Sequence, residues 1–237
     1  MEYYYTNKEN IDEKSGVLTV KGQDSKHLSR VLRKKTGDIL EITDGNRNIF
    51  TSKIVEITKD SVVCRILEKK YNLFEPGINV RLFAAPLRNQ DRFEFLVEKT
   101  VELGVSEIIP VITKHTVPKA YTGNKTERLR KIAVHAMGQS QRCYLPPVRE
   151  SVTFDEMLKM TAIFENKVVF YEHQDREKAY RNAEKEDICV LVGPEGGFSE
   201  SEINSLIENN WQVCSLGDRK LRAETAAIIG IYEIINK

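Results

Sequence analysis

Apolar and polar residues change rhythm once along this chain. Over roughly the first seventy residues the apolar positions come in short runs, Val17–Val20, Ile39–Thr43, Ile49–Ile57 and Val62–Leu67. The turn-forming triplets Thr36-Gly37-Asp38 and Asp44-Gly45-Asn46 separate them, as in a sheet of short strands. In the third run Ile54, Glu56 and Thr58 alternate with Val55 and Ile57, which predicts a half-buried small sheet or barrel. One helix is expected to interrupt it, around Ser25–Lys34, where Leu28, Val31 and Leu32 follow helical spacing and the basic residues fall largely opposite.

The segment Tyr71-Asn72-Leu73-Phe74-Glu75-Pro76-Gly77 breaks that pattern and places a domain boundary there, giving domains 1–72 and 73–237. Beyond it strands alternate with longer helices, the pattern of an α/β domain with a mainly parallel sheet. Strand Val80–Ala85 leads to a helix from about Asp91, whose apolar face ends at Gly104. Strand Glu107–Ile112, helices near Glu127–Gly138 and Phe154–Met160, and strand Lys167–Tyr171 follow. Strand Ile188–Val192, a helix near Glu200–Glu208, strand Gln212–Leu216 and a last helix from about Ala223 complete the chain. That helix is apolar nearly all round, so it needs more than one packing partner: it lies deep in its domain or forms a dimer interface.

Composition narrows the class. An apolar fraction of 41% over 237 residues supports an ordinary globular core. The N-terminus has no basic stretch followed by an apolar one, and the longest apolar run, Ala226–Tyr232, is too short for a bilayer. A soluble cytoplasmic protein without a membrane partner is the expectation. Cys64, Cys143, Cys189 and Cys214 are scattered without Cys-x-x-Cys spacing, so free buried thiols are expected rather than disulfides or zinc. The net charge is only +1, but its distribution is uneven. Six cations between Lys21 and Lys35 face only Asp24, and seven between Lys114 and Arg142 face only Glu127. Either run alone is most simply a solvated face, and two such patches in a nearly neutral chain weigh against that reading.

Two junctions carry the candidate chemistry, because open α/β sheets place ligands beyond the carboxyl ends of their strands. At the first, Cys189-Val190-Leu191-Val192 runs into Gly193-Pro194-Glu195-Gly196-Gly197-Phe198, and Ser199-x-x-Glu202 forms a capping box for the next helix. Glycines there permit close backbone approach, and a helix N-terminus offers N–H donors. Neither a dinucleotide fingerprint nor a phosphate loop is present, and spacing alone is equally satisfied by a tight strand-to-helix turn. At the second, Leu216-Gly217 is followed by Asp218-Arg219-Lys220-Leu221-Arg222-Ala223-Glu224-Thr225, which crowds Arg222, Glu224 and Thr225 at a helix start. Two such loops within thirty residues suggest one shared pocket. His27, His115, His135 and His173 show no metal-ligand spacing and no hydrolytic set is assembled, so no metal is expected.

The runs Leu191-Val192-Gly193-Pro194-Glu195-Gly196-Gly197-Phe198-Ser199 and Leu216-Gly217-x-x-x-Leu221-Arg222-x-Glu224-Thr225-Ala226 resemble the signatures of the RsmE family of ribosomal RNA methyltransferases. His27-Leu28-x-x-Val31-Leu32-Arg33, Lys99-x-x-Glu102-Leu103-Gly104-Val105 and Gln139-Ser140-x-Arg142 extend the resemblance over most of the chain. One departure is Gly138, where that family often has Glu. The resemblance implies a small N-terminal PUA-like RNA-binding β-barrel and an α/β SPOUT-type domain with a C-terminal trefoil knot. It further implies a homodimer acting on 16S ribosomal RNA of the small subunit, methylating N3 of a uridine with S-adenosyl-L-methionine.

The implied cofactor-binding residues are Leu191, Gly193, Pro194, Gly196, Gly197, Leu216, Gly217, Leu221 and Thr225. Because the N3 proton leaves only above neutral pH, the reaction needs its anion stabilised or its proton removed. Arg222 is the candidate for stabilising charge on the uracil oxygen, and Glu224 or Glu195 for accepting the proton or orienting groups. Lys26, Arg30, Arg33 and Lys34 would meet phosphates, with Arg88, Gln139 and Arg142 nearer the target base. A SPOUT enzyme for another RNA position and a non-catalytic ribosome-binding module are the alternatives.

Overall fold

Short strands with one apolar face stack antiparallel in the N-terminal part of the chain, as their alternation requires. A computed structural model describes residues 2–172 and 187–236. It gathers the chain into two units, Met1–Glu75 with Val134–Leu145, and Pro76–Ala133 with Pro146–Lys237.

The first unit holds β1 (Tyr4–Tyr5), β2 (Ile11–Asp12), β3 (Val17–Lys21), α1 (Gly22–Lys26), β4 (Ile39–Thr43), β5 (Asn48–Ile57) and β6 (Ser61–Tyr71). Its sheet order is β1-β4-β5-β6-β3-β2, antiparallel except for β1 against β4. Leu18, Val20, Leu40, Ile42, Phe50 and Val62 fill its core, each burial contributing about 1.5–3 kcal/mol. The alternation of β5 buries Ser52 and Ile54 and exposes Lys53 and Val55, and a bulge between Ile54 and Glu56 then interrupts the ladder. The helix expected over Ser25–Lys34 ends differently. After α1 the residues His27–Val31 form a wider π-type turn, with Leu32 N–H donating back to the His27 carbonyl at 3.0 Å. Only Leu28 of its three apolar residues is buried, while Val31 and Leu32 are 66% and 43% exposed.

Residues 134–145 return to complete this unit. Tyr3 N–H donates to the Gly138 carbonyl at 3.0 Å, Arg47 N–H to the Cys143 carbonyl at 2.8 Å, and Leu145 N–H to the Gly45 carbonyl at 2.9 Å. A Cβ on Gly138 would collide with the Tyr3 carbonyl oxygen, which gives the physical reason that no Glu stands there. The Glu75 carboxylate accepts from the N–H groups of Cys143 and Tyr144 at 2.8 and 2.9 Å and from Arg142 Nη2 at 2.7 Å.

The second unit contains β7 (Asn79–Ala84), α2 (Gln90–Leu103), β8 (Glu107–Ile112), α3 (Asn124–Gln139, whose last turns belong to the first unit), β9 (Val152–Thr153) and α4 (Phe154–Thr161). Then come β10 (Asn166–Phe170), β11 (Asp187–Val192), α5 (Glu200–Glu208), β12 (Gln212–Cys214) and α6 (Ala223–Ile235). Its sheet is wholly parallel, in the order β12-β10-β11-β7-β8-β9, and the central strands β7 and β11 are nearly continuous apolar runs, as burial on both faces demands. Asn89 caps α2 through the Arg92 N–H at 3.3 Å, and Gly104 ends it in the left-handed conformation. Ser199 and Glu202 form the expected capping box on α5.

Helix α6 packs on α2, β7 and β11, burying Ala227, Ile231 and Ile234, while Tyr232 on its outer side is 56% exposed. Gly230 lets it lie directly on the Phe170 ring, which a Cβ would penetrate. All four cysteines are buried and none is joined in a disulfide. Among the described residues no helix is long and apolar enough to cross a membrane. His173 lies outside them.

Candidate cofactor pocket and active site

Parallel pairing sets the ends of β10, β11 and β12 level, with Phe170 opposite both Val192 and Cys214. The chain segments that leave these ends enclose a cavity of about 460 Å³, within the size range of small-molecule sites. Phe170, Tyr171 and Glu172 come from the β10 end. Gly193, Pro194, Glu195, Gly197 and Phe198 come from the β11 end, and Ser215, Leu216, Gly217 and Arg219 through Arg222 from the β12 end. Ala223 and Ala226 of α6 and Arg92 of α2 close the wall.

The glycine turn is held from beneath. Gly197 has φ +67° and its N–H donates to the Pro194 carbonyl at 2.9 Å, a closure that needs a left-handed residue. His115 Nδ1 bridges the carbonyls of Gly196 and Gly197 at 3.1 and 3.2 Å, so it carries the donated hydrogen. Buried Glu202 accepts from Ser199 N–H at 2.9 Å with one oxygen and from Lys114 N–H at 2.8 Å with the other. The helix cap, the turn and the loop after β8 are therefore one hydrogen-bonded assembly. On the opposite side Gly217 lines the cavity, and no atom lies within 4 Å of the place its Cβ would take. Lys220 Nζ and Glu172 pair at 3.0 Å between the β12 and β10 loops.

A charged cluster closes the end of the pocket nearest α2. Arg92 Nε and Nη2 reach Glu224 Oε1 and Oε2 at 2.8 and 2.6 Å, and Arg92 Nη1 lies 3.4 Å from Glu195 Oε1. Glu195 also accepts the Arg88 N–H at 3.1 Å. Burial pushes the Glu224 carboxyl up, but the Arg92 hydrogen bonds, a backbone hydrogen bond and the Arg92 and Arg222 charges outweigh it, and the group ends below its ordinary value. Such a carboxylate orients its neighbours better than it accepts a proton.

Of the cofactor residues expected from sequence, Gly193, Pro194, Gly197, Leu216, Gly217 and Leu221 line the cavity, together with Arg222 and Glu195. Leu191 is buried within β11, Gly196 backs onto His115, and Thr225 and Glu224 sit in the first turn of α6 outside the lining. Arg88 is exposed just before α2 and Gln139 is exposed at the end of α3. In the first unit Lys26, Arg30 and Arg33 are exposed and Lys34 is half-buried on the turn after α1. Arg142 departs from expectation: its side chain is 5% exposed and is paired with Glu75, so its guanidinium serves the interior rather than an RNA surface. Sequence reasoning missed Arg92, Tyr171, Glu172 and Lys220. The strand-end rule applied to β10 as well would have found Tyr171 and Glu172.

Comparisons with known proteins agree with this arrangement. A model described as an RNA methyltransferase domain matches residues 75–234, and one described as an RNA methyltransferase PUA domain matches residues 20–67. The ribosomal RNA small subunit methyltransferase E of Rickettsia conorii is 31% identical over 88% of this chain and 84% of its own length. That of Bacillus subtilis is 29% identical over 94% of this chain and 91% of its own length. The Neisseria gonorrhoeae methyltransferase E crystallised with S-adenosyl methionine superposes with a TM-score of 0.88 at 28% identity, covering 98% of this chain and 96% of that one. A Legionella pneumophila protein in complex with the same cofactor gives 0.85 at 28% identity, covering 97% and 94%. From its pocket, its two units and these likenesses, the chain belongs to the RNA methyltransferase family that includes the ribosomal RNA small subunit methyltransferases E.

Proposed function

We propose that this chain methylates N3 of a specific uridine in 16S ribosomal RNA, with S-adenosylmethionine held in the cavity at the ends of β10, β11 and β12. The observation that carries the reading is the convergence of the glycine turn and the Leu216–Arg222 loop on one cavity with Arg222 in its wall. The residues present suit that cofactor: Leu216, Leu221 and Ala226 offer apolar walls to a flat ring, and Gly217 leaves its backbone open. Glu172 and Glu195 offer carboxylates to hydroxyl and ammonium groups. When bound, the cofactor supplies an electrophilic methyl group.

The Arg222 guanidinium would hold the uracil oxygen on which charge grows as N3 loses its proton and gains the methyl. Glu195, which lines the cavity, would take that proton, while Glu224, gripped by Arg92, would orient the start of α6. Residues 1–72 would serve as the PUA-like RNA-binding domain, with Lys26, Arg30, Arg33 and Lys34 on phosphates, and Arg88 and Gln139 nearer the base. Residues 73–237 would form the SPOUT domain with its trefoil knot. In support, the chain passes from β12 at the sheet edge beside the β11 turn before α6 returns over β7 and β11. Exposed Ile229 and Tyr232 on the apolar last helix support a homodimer. A ribosomal RNA substrate supports a cytoplasmic location.

Calorimetric titration with S-adenosylmethionine and mass analysis of 16S rRNA from cells with and without the chain test the reading. Binding of the cofactor and loss of one methyluridine with the gene are expected. Arg222→Ala should keep cofactor binding and lose most methyl transfer. A pure protein that does not bind the cofactor overturns the proposal.

A further inference from the structure

We infer that Arg92 is a positioning residue whose grip on Glu224 keeps that carboxylate from capturing Arg222, leaving the Arg222 guanidinium directed at the cavity. The inference rests on the methyl-transfer reading only for its kinetic readout, since the geometry stands by itself.

The arrangement is specific to a planar, two-pronged donor. Arg92 lies in the first turn of α2, and its Nε and Nη2 meet the two oxygens of Glu224 at 2.8 and 2.6 Å as parallel bonds. Its remaining amino group reaches Glu195 at 3.4 Å. One guanidinium thereby joins the first turn of α2, the turn after β11 and the first turn of α6. The Glu224 side chain is 9% exposed, so its charge has little water to fall back on. The other cation acting on it is Arg222, the N-cap residue of α6, two positions earlier in the chain. If Arg92 were absent, the buried carboxylate would be left charged and short of donors, and the nearest compensation would be to draw Arg222 inward. Turnover would then fall although the cofactor loops stayed in place. Lysine at position 92 would replace the charge but not the fork, because an ammonium is a single point of donation.

The decisive comparison is Arg92→Met, which keeps the length of the stem, against Arg92→Met combined with Glu224→Gln. A neutral amide at 224 does not attract Arg222, so removing the second partner should restore what removing the first destroyed. With full-length protein, S-adenosylmethionine and 16S rRNA or small subunits, Arg92→Met should lower kcat by roughly thirtyfold with cofactor Kd changed less than about threefold, and the double variant should recover about tenfold of that loss. Arg92→Lys should fall between the wild type and Arg92→Met. Independently of turnover, the Arg222 Nε–H resonance in NMR should move in Arg92→Met and return in the double variant. Wild-type protein that moves no methyl group while this resonance behaves as stated would sink the methyl-transfer reading and leave the inference standing. A double variant no faster than Arg92→Met, with an unmoved resonance, overturns the inference and makes Arg92 a plain structural strut. Should Arg92→Met not fold, Arg92→Gln carries the same comparison.

Discussion

Arg142 and Glu75 form a two-bonded ion pair, Nη2 and Nε at 2.7 and 3.1 Å from one carboxylate oxygen, with side chains only 5% and 2% exposed. The other oxygen takes two backbone N–H groups, so Glu75 organises residues 142–144 through four donors. Breaking a buried pair on one side leaves the partner charged and unsatisfied. Arg142→Ala should therefore cost about 3–5 kcal/mol in urea unfolding. A loss below about 1 kcal/mol, the worth of a surface pair, would show that the carboxylate does not depend on it.

Gly230 places α6 against the ring of Phe170, which lines the cavity. Gly230→Ala has nowhere to put its methyl group unless the helix lifts or the ring turns. Overpacking of this kind should cost about 1–3 kcal/mol and weaken cofactor binding as well, because the ring is shared. Calorimetry showing lowered stability with unchanged cofactor affinity would uncouple helix seating from pocket shape.

The carboxyl of Glu224 sits below its ordinary 4.5 in the folded chain: burial raises it, and the hydrogen bonds and charges of Arg92 with that of Arg222 more than compensate. A depressed folded value means that the contribution is complete above the unfolded value of about 4.5 and is lost as pH falls through the folded one. Melting temperature should drop on acidification below that point, and the acid limb should flatten in Glu224→Gln. An identical limb in both proteins would assign the acid sensitivity elsewhere.

Burial pushes the thiols of Cys64 and Cys189 up to about 12 and that of Cys143 to about 11. The thiolate is the reactive form, so native protein should resist a disulfide reagent at neutral pH and react only as it unfolds. Rapid labelling of any of these three in native protein would mean that its surroundings open easily.

Much of this fold was legible in the chain because long apolar elements signal themselves. Glu107–Ile112, Glu200–Glu208 and the start of α6 at Ala223 stand where periodicity and capping put them. What failed was local. One π-type turn took Val31 and Leu32 off the buried face. Within the site, the glycine turn and the Leu216–Arg222 loop announced themselves through unusual residue types. Arg92 did not, since its meaning depends on carboxylates far along the chain, and no spacing rule reports a partner 132 positions away.

The first unit takes residues 134–145 from far down the chain. During synthesis an N-terminal unit ordinarily folds as soon as it has emerged. Here Glu75 must wait for Arg142, and Tyr3 for Gly138, until the whole intervening segment Pro76–Ala133 of the second unit has been made. A polypeptide severed after residue 75 would contain every strand of the first sheet and still lack these late partners. The first unit is thus completed only after residues 134–145 have been made, although all of its strands come before residue 75.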